Sequence, residues 1–164
     1  MRRQPFVPIN FSVPAGLATE AFRLRMLSIN DVVKDYDAVM SSYEHLQGVF
    51  GPYSNWPADN LSLEQNLIDL GWHQKEFQNR TSFAYTVVSL DEKRCLGCVY
   101  IDPTEIENYD AQVILWTRQS ELKSGLEDRL LAAVKDWINK SWPFERVAFP
   151  GREISWANIG TCLA

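Results

Sequence analysis

Apolar residues recur along this chain with two different periods, and the points where the period changes mark out its elements. Phe22-Arg23-Leu24-Arg25-Met26-Leu27 alternates apolar and basic residues, the pattern of a half-buried strand. The next apolar positions, Ile29, Val33, Tyr36, Met40 and Tyr43, fall three or four apart and predict a helix capped by Ser28, Asn30 or Asp31. Gly48, Gly51, Pro52 and Pro57 then break the chain into a loop that carries Tyr53, Trp56 and Asp59. Ser62 opens a second helix with Leu63, Leu67, Leu70 and Phe77 as its expected apolar stripe.

Three strand signals follow in a row. Residues 82–90 place Phe83, Tyr85 and Val87 on one face, Asp91-Glu92-Lys93 is a hairpin connection, and residues 94–101 stop at Asp102-Pro103. Residues 110–118 carry Val113 and Leu115 on one face and Ile114 and Trp116 on the other, as expected of a central strand covered on both sides. A third helix spans 125–140, with Leu126, Leu130, Val134, Trp137 and Ile138 inward, and Arg146-Val147-Ala148-Phe149 is one more short strand. Residues 1–20 form a proline-punctuated arm in which Phe6–Val13 reads as an edge strand. Strand, helix, helix, three strands, helix, strand is an α+β order: a mixed, mostly antiparallel sheet flanked by helices, in one domain over 1–164.

Composition narrows the function classes. The 164 residues carry sixteen Lys+Arg against twenty-one Asp+Glu, a net charge of −5, which leaves little material for a basic nucleic-acid-binding face. Three cysteines do not make a disulfide framework, and Cys95 and Cys98 form a lone CxxC with no second ligand pair for zinc. On a regular strand those two thiols point to opposite faces, so small buried thiols are expected rather than a metal. No apolar run approaches the roughly 20 residues that span a bilayer, and prolines interrupt the segment after Met1-Arg2-Arg3 where a signal core would lie. The expected compartment is the reducing cytoplasm. No Ser-His-Asp order, nucleophile elbow, Walker loop or dinucleotide fingerprint occurs.

The element order over residues 22–150 resembles the GCN5-related N-acetyltransferase superfamily. So do the phrases Asp69-Leu70-Gly71-Trp72-His73, Phe83-Ala84-Tyr85-Thr86-Val87, Leu96-Gly97-Cys98-Val99-Tyr100-Ile101 and Trp142-Pro143-Phe144. The resemblance implies an acyl-CoA N-acyltransferase-like fold whose central strand splays from the strand after the third helix. It also implies acetyl-CoA as co-substrate, held by the backbone of Leu115, Trp116, Thr117 and Arg118. The pyrophosphate would rest on the loop and helix start at Lys123, Ser124, Gly125 and Leu126, where orphan amides favour an anion.

Two departures accompany it. The superfamily loop usually reads Arg/Gln-x-x-Gly-x-Gly/Ala; here Leu122 and Glu127 occupy its first and last positions. Ser124 and Glu127 also fit S-x-x-E, a capping box that would satisfy the helix start internally. Only fourteen residues follow Pro150 and none is Tyr, so a C-terminally shortened variant is expected, without the Tyr that often protonates the departing thiolate.

On this reading the chain transfers acetyl directly to a small-molecule amine. An alkyl ammonium titrates near 10 and must lose a proton before it attacks. Asp110, the only acid on the central strand, and His73, on the second helix, are the candidate bases; Tyr100 or Tyr85 can donate to the leaving thiolate. Arg152 can meet an acidic group of a ligand or simply lie on the surface. The alternative is a catalytically silent module of the same fold that binds CoA, another small ligand or a protein partner. A homodimer formed through the exposed sheet edge is a further expectation.

Overall fold

The computed structural model describes residues 4–159. Six strands form one sheet in chain order: β1 Gly16–Ala18, β2 Arg23–Met26, β3 Phe83–Val88, β4 Cys95–Asp102, β5 Ala111–Thr117 and β6 Val147–Ala148. The first five are antiparallel neighbours, and β6 joins β5 in parallel. The parallel step needs a crossover, which α4, Leu126–Ser141, supplies. On the opposite face, here called the front, lie α1 Val32–Ser41, α2 Tyr43–Leu46 and α3 Leu63–Gln78; a short α5, Trp156–Ile159, ends the described chain. This is the α+β arrangement the hydrophobic pattern implies.

Alternation along the central strands divides the core in two. Phe83, Tyr85, Val87, Val99, Val113 and Leu115 face back into a cluster with Leu126, Leu130, Val134, Trp137 and Ile138 of α4. Ala84, Cys98, Tyr100, Ile114 and Trp116 face front, against Ala38 and Val39 of α1 and Leu70 of α3. The back cluster is dominated by rings: Tyr85–Trp137 and Trp137–Trp142 centroids lie 5.0 and 5.5 Å apart, both edge-on, a geometry that adds about 0.5–1.5 kcal/mol per pair beyond area burial.

Residues 6–13 are not a strand. Prolines remove ladder donors, and the arm's carbonyls are satisfied by side chains instead: Arg80 donates to Pro8 and Phe11 at 2.7 and 2.9 Å, and the Tyr85 hydroxyl donates to Pro14 at 2.6 Å. Phe6 stacks between Phe83 and Phe144, so the arm packs on its own sheet.

The two front helices bury different stripes from those their apolar residues suggest. Val33 is 69% exposed, and Ile29, Leu63 and Leu67 are also exposed. The buried stripes run through Asp35, Ala38 and Val39 on α1 and through Asn66 and Leu70 on α3. Each contains one polar residue, and those two are bonded to each other. Ser28 does cap the turn before α1, in a reciprocal capping box with Asp31. Cys95 and Cys98 also depart from expectation: a register shift opposite Val87/Val88 puts both thiols into the front cluster. Burial pushes the Cys95 thiol up to about 12 and Cys98 well above its ordinary value, so both are inert.

Candidate functional site

β5 and β6 share only two rungs, Ala111↔Val147 and Gln112↔Ala148. Beyond them the strands separate. Arg118 N–H turns toward β4, where it donates to Leu96, so the alternate residues Val113, Leu115 and Thr117 turn their main-chain groups the other way, into the gap. A cavity of about 230 Å³ fills that wedge, bordered by Leu115, Trp116, Pro150, Gly151 and Trp156, and it reaches Glu127 in the first turn of α4. The wedge therefore runs from the open edge of β5 to a helix N-terminus.

That N-terminus is built differently from a capping box. Gln119–Ser124 forms a 3₁₀ turn, and Gly125, at φ 77°, takes the left-handed conformation that reverses the chain into α4. Ser124 Oγ donates to the Glu121 carbonyl rather than accepting from Glu127 N–H. The Glu127 carboxylate is committed elsewhere: it accepts from Arg152 at 3.1 Å, while Arg152 also donates to the Leu115 carbonyl at 3.2 Å. Arg152 thus spans the wedge and occupies one of the main-chain acceptors of the open edge.

Among the expected cofactor residues, Lys123, Ser124 and Gly125 are exposed at the mouth of α4. The Arg118 side chain is engaged on the front face. Its guanidinium donates to the Cys95 carbonyl at 3.0 Å, to Asp37 at 3.1 Å and to Ser41, tying β4 and α1 together. Trp116, between Leu115 and Thr117, turns its main chain toward β4, and its indole N–H is spent on the Tyr100 hydroxyl at 3.1 Å.

A second cavity, of about 300 Å³, lies on the front face and is lined by Asp35, Asn66, His73, Tyr100, Phe50 and Trp56. It adjoins the wedge through an aromatic partition: Trp56 lies 6.1 Å from Trp116, which lines the first cavity. His73 and Tyr100 sit together there, ring centroids 5.3 Å apart. Burial lowers the His73 pKa below its ordinary value, so the imidazole is neutral at pH 7, and burial holds the Tyr100 hydroxyl protonated.

Asp110, the other expected base, is not with them. It stands at the paired end of β5, where its carboxylate accepts from the Glu145 and Arg146 amides at 2.8 and 2.9 Å. Those two bonds lower its pKa and fix the turn into β6. Asp35 is the acid sequence reasoning missed. The available signal was a polar residue in register with Ala38, Val39 and Leu46, masked by the more apolar Val33 and Tyr36 beside it. No group of three or more metal-ligating side chains is present among the described residues, and no described helix is long and apolar enough to cross a membrane.

No family model and no curated protein matches the chain. Solved structures do. A ribosomal-protein-S5-alanine acetyltransferase from Vibrio fischeri is similar over 92% of this chain and 82% of its own, at TM-score 0.66 and 18% identity. A ribosomal L7/L12 α-N-protein acetyltransferase in complex with coenzyme A matches 83% of this chain and 72% of its own, at TM-score 0.65 and 16% identity. A microcin C7 self-immunity acetyltransferase in complex with acetyl-CoA and AMP matches 84% and 73%, at TM-score 0.65 and 12% identity. The strand order, the β5/β6 wedge and these likenesses together give the chain the acyl-CoA N-acyltransferase fold of the GCN5-related N-acetyltransferases.

Proposed function

We propose that this protein is an acetyl-CoA-dependent N-acetyltransferase acting on a small amine. One observation carries the reading: the outer edge of Val113–Thr117 is open and leads, through the wedge, to the start of α4. A pantetheine arm fits there as an added strand on the Leu115 and Thr117 main chain. Its pyrophosphate would lie on the Lys123–Leu126 turn, where a lysine and helix-start amides meet. The thioester carbonyl would be polarised by β5 amides.

Transfer is direct. The acceptor ammonium gives its proton to neutral His73, and the freed amine attacks the thioester carbon. The thiolate that leaves takes a proton from Tyr100 or from water, and as the tetrahedral adduct collapses the nitrogen gives up its second proton to restore that donor. His73 and Tyr100 share one cavity, which is why this pair replaces Asp110 in the role of proton carriers.

A silent binding module is the second reading, favoured by the Arg152–Glu127 pair that crosses the wedge. Melting the protein with and without millimolar acetyl-CoA, followed by thiol release in the presence of amines, separates them. Ligand at 100 times its Kd adds about 2.7 kcal/mol, a clear rise in Tm. A rise with thiol release supports the transferase, and a rise without it supports the module. No rise overturns the transferase and leaves a module whose ligand is not CoA.

A further inference from the structure

The front cavity carries information about the acceptor itself. α1 and α3 each bury one polar side chain in an otherwise apolar stripe, Asp35 at 4% and Asn66 at 2% exposure. Asn66 Nδ2 donates to Asp35 Oδ2 at 2.9 Å. A carboxylate has about four lone-pair sites, and one neutral amide fills one of them. Both residues line the cavity rather than being sealed away from it.

The rest of the lining has one electrostatic character. Asp69 is a second acid, no Lys or Arg among the described residues borders the space, and Phe50, Trp56 and Tyr100 present ring surfaces. Trp72, 65% exposed, stands at the rim. Ring faces attract cations, and an under-solvated carboxylate attracts them more strongly. Desolvation raises the Asp35 pKa to about 6, so the group is still ionised at pH 7 and would gain from a cation that restores its lost hydration. The volume, about 300 Å³, equals about ten waters and suits a compact molecule.

We infer that the front cavity binds the acetyl acceptor as a primary ammonium on an aromatic or branched apolar body, with Asp35, oriented by Asn66, recognising the cation and Trp56 and Trp72 walling its body. This rests on the N-acetyltransferase reading and names the substrate class of the same site. Acidic acceptors are excluded by Asp35 and Asp69. Neutral molecules of the same shape lose the charged contact.

The test needs no cofactor. Tryptophan emission follows titration of the full chain with 2-phenylethylamine, 2-phenylethanol and 3-phenylpropionate. The amine should bind about tenfold or more tighter than the alcohol, the worth of one charge-assisted hydrogen bond, and the acid should not bind. Asp35→Asn, which keeps an acceptor for Asn66, should bring amine and alcohol to near-equal affinity, while Trp72→Leu should weaken both alike. The inference is overturned if the alcohol or the acid matches the amine, if Asp35→Asn preserves the gap, or if none of the three binds. If Asp35→Asn fails to fold, the wild-type ranking decides. Amine binding without any acetyl-CoA response would sink the transferase reading and leave a cation pocket; an acetyl-CoA response without amine selectivity would do the reverse.

Discussion

The Arg152 guanidinium donates to the Leu115 carbonyl at 3.2 Å and to the Glu127 carboxylate at 3.1 Å, so one side chain links the turn that follows β6, the open edge of β5 and the head of α4. Glu127, the least expected residue of the helix start, therefore has a partner. Any strand added to β5 must first take the Leu115 carbonyl away from Arg152.

Releasing that latch should tighten cofactor binding. The pair is partly exposed, so Glu127→Gln is expected to cost only about 0–1 kcal/mol of stability. It also removes a carboxylate from the pyrophosphate's neighbourhood. The acetyl-CoA-induced rise in Tm should be larger in Glu127→Gln than in the wild type at equal ligand concentration. An equal or smaller rise would show that the latch does not restrict the wedge.

His73 and Asp110 should separate cleanly in kinetics. His73→Gln is expected to lower kcat about 10²-fold or more with little change in acetyl-CoA response. Asp110→Ala should lower Tm, because two amides of the turn into β6 lose their acceptor, and should leave kcat near the wild-type value. Paired measurements of kcat and Tm check both; a large kcat loss in Asp110→Ala at unchanged Tm would restore it as a base.

Asp35 makes the fold pH-dependent in a defined direction. Its folded pKa, about 6, lies above the ordinary carboxylate value, so the folded state holds the proton more firmly than the unfolded one. That contribution is fully present below about pH 4 and is lost as pH rises through 6. Asp35→Asn should therefore be more stable than the wild type at pH 8, by about 1–3 kcal/mol. The difference should fade as the pH is lowered to 4. Denaturant melts at both pH values test this, and a pH-independent difference would contradict it.

Gly97 lies on β4 opposite Thr117, and a Cβ there would stand 2.1 Å from the Trp116 carbonyl oxygen. Gly97→Ala must push β4 from β5 at the mouth of the wedge. A loss of about 3 kcal/mol or more is expected, seen as a lowered denaturation midpoint.

What the sequence made readable follows from how each element is covered. β3, β4, β5 and α4 are buried by apolar neighbours on the faces their patterns indicate, so period alone located them. α1 and α3 misled because they bury Asp35 and Asn66 and expose Val33 and Leu67, a choice fixed by the cavity between them rather than by hydropathy. The S-x-x-E match at Ser124 failed for a similar reason: a distant guanidinium offers Glu127 a charge-assisted bond stronger than a neutral backbone amide does. Contacts between residues 25 to 37 positions apart, such as Arg152 with Glu127 and Leu115, leave no periodic trace.

The proline arm that roofs the back face has a consequence for biosynthesis. It leaves the ribosome before its docking points, since Tyr85 and the rings of Trp142 and Phe144 are made many residues later. Until Trp142 and Phe144 have emerged, Phe6 has only Phe83 to stack on and Phe11 lacks its ring partner, so the nascent chain carries both rings incompletely sheltered. The arm, made before the sheet it covers, is thus among the last segments to dock.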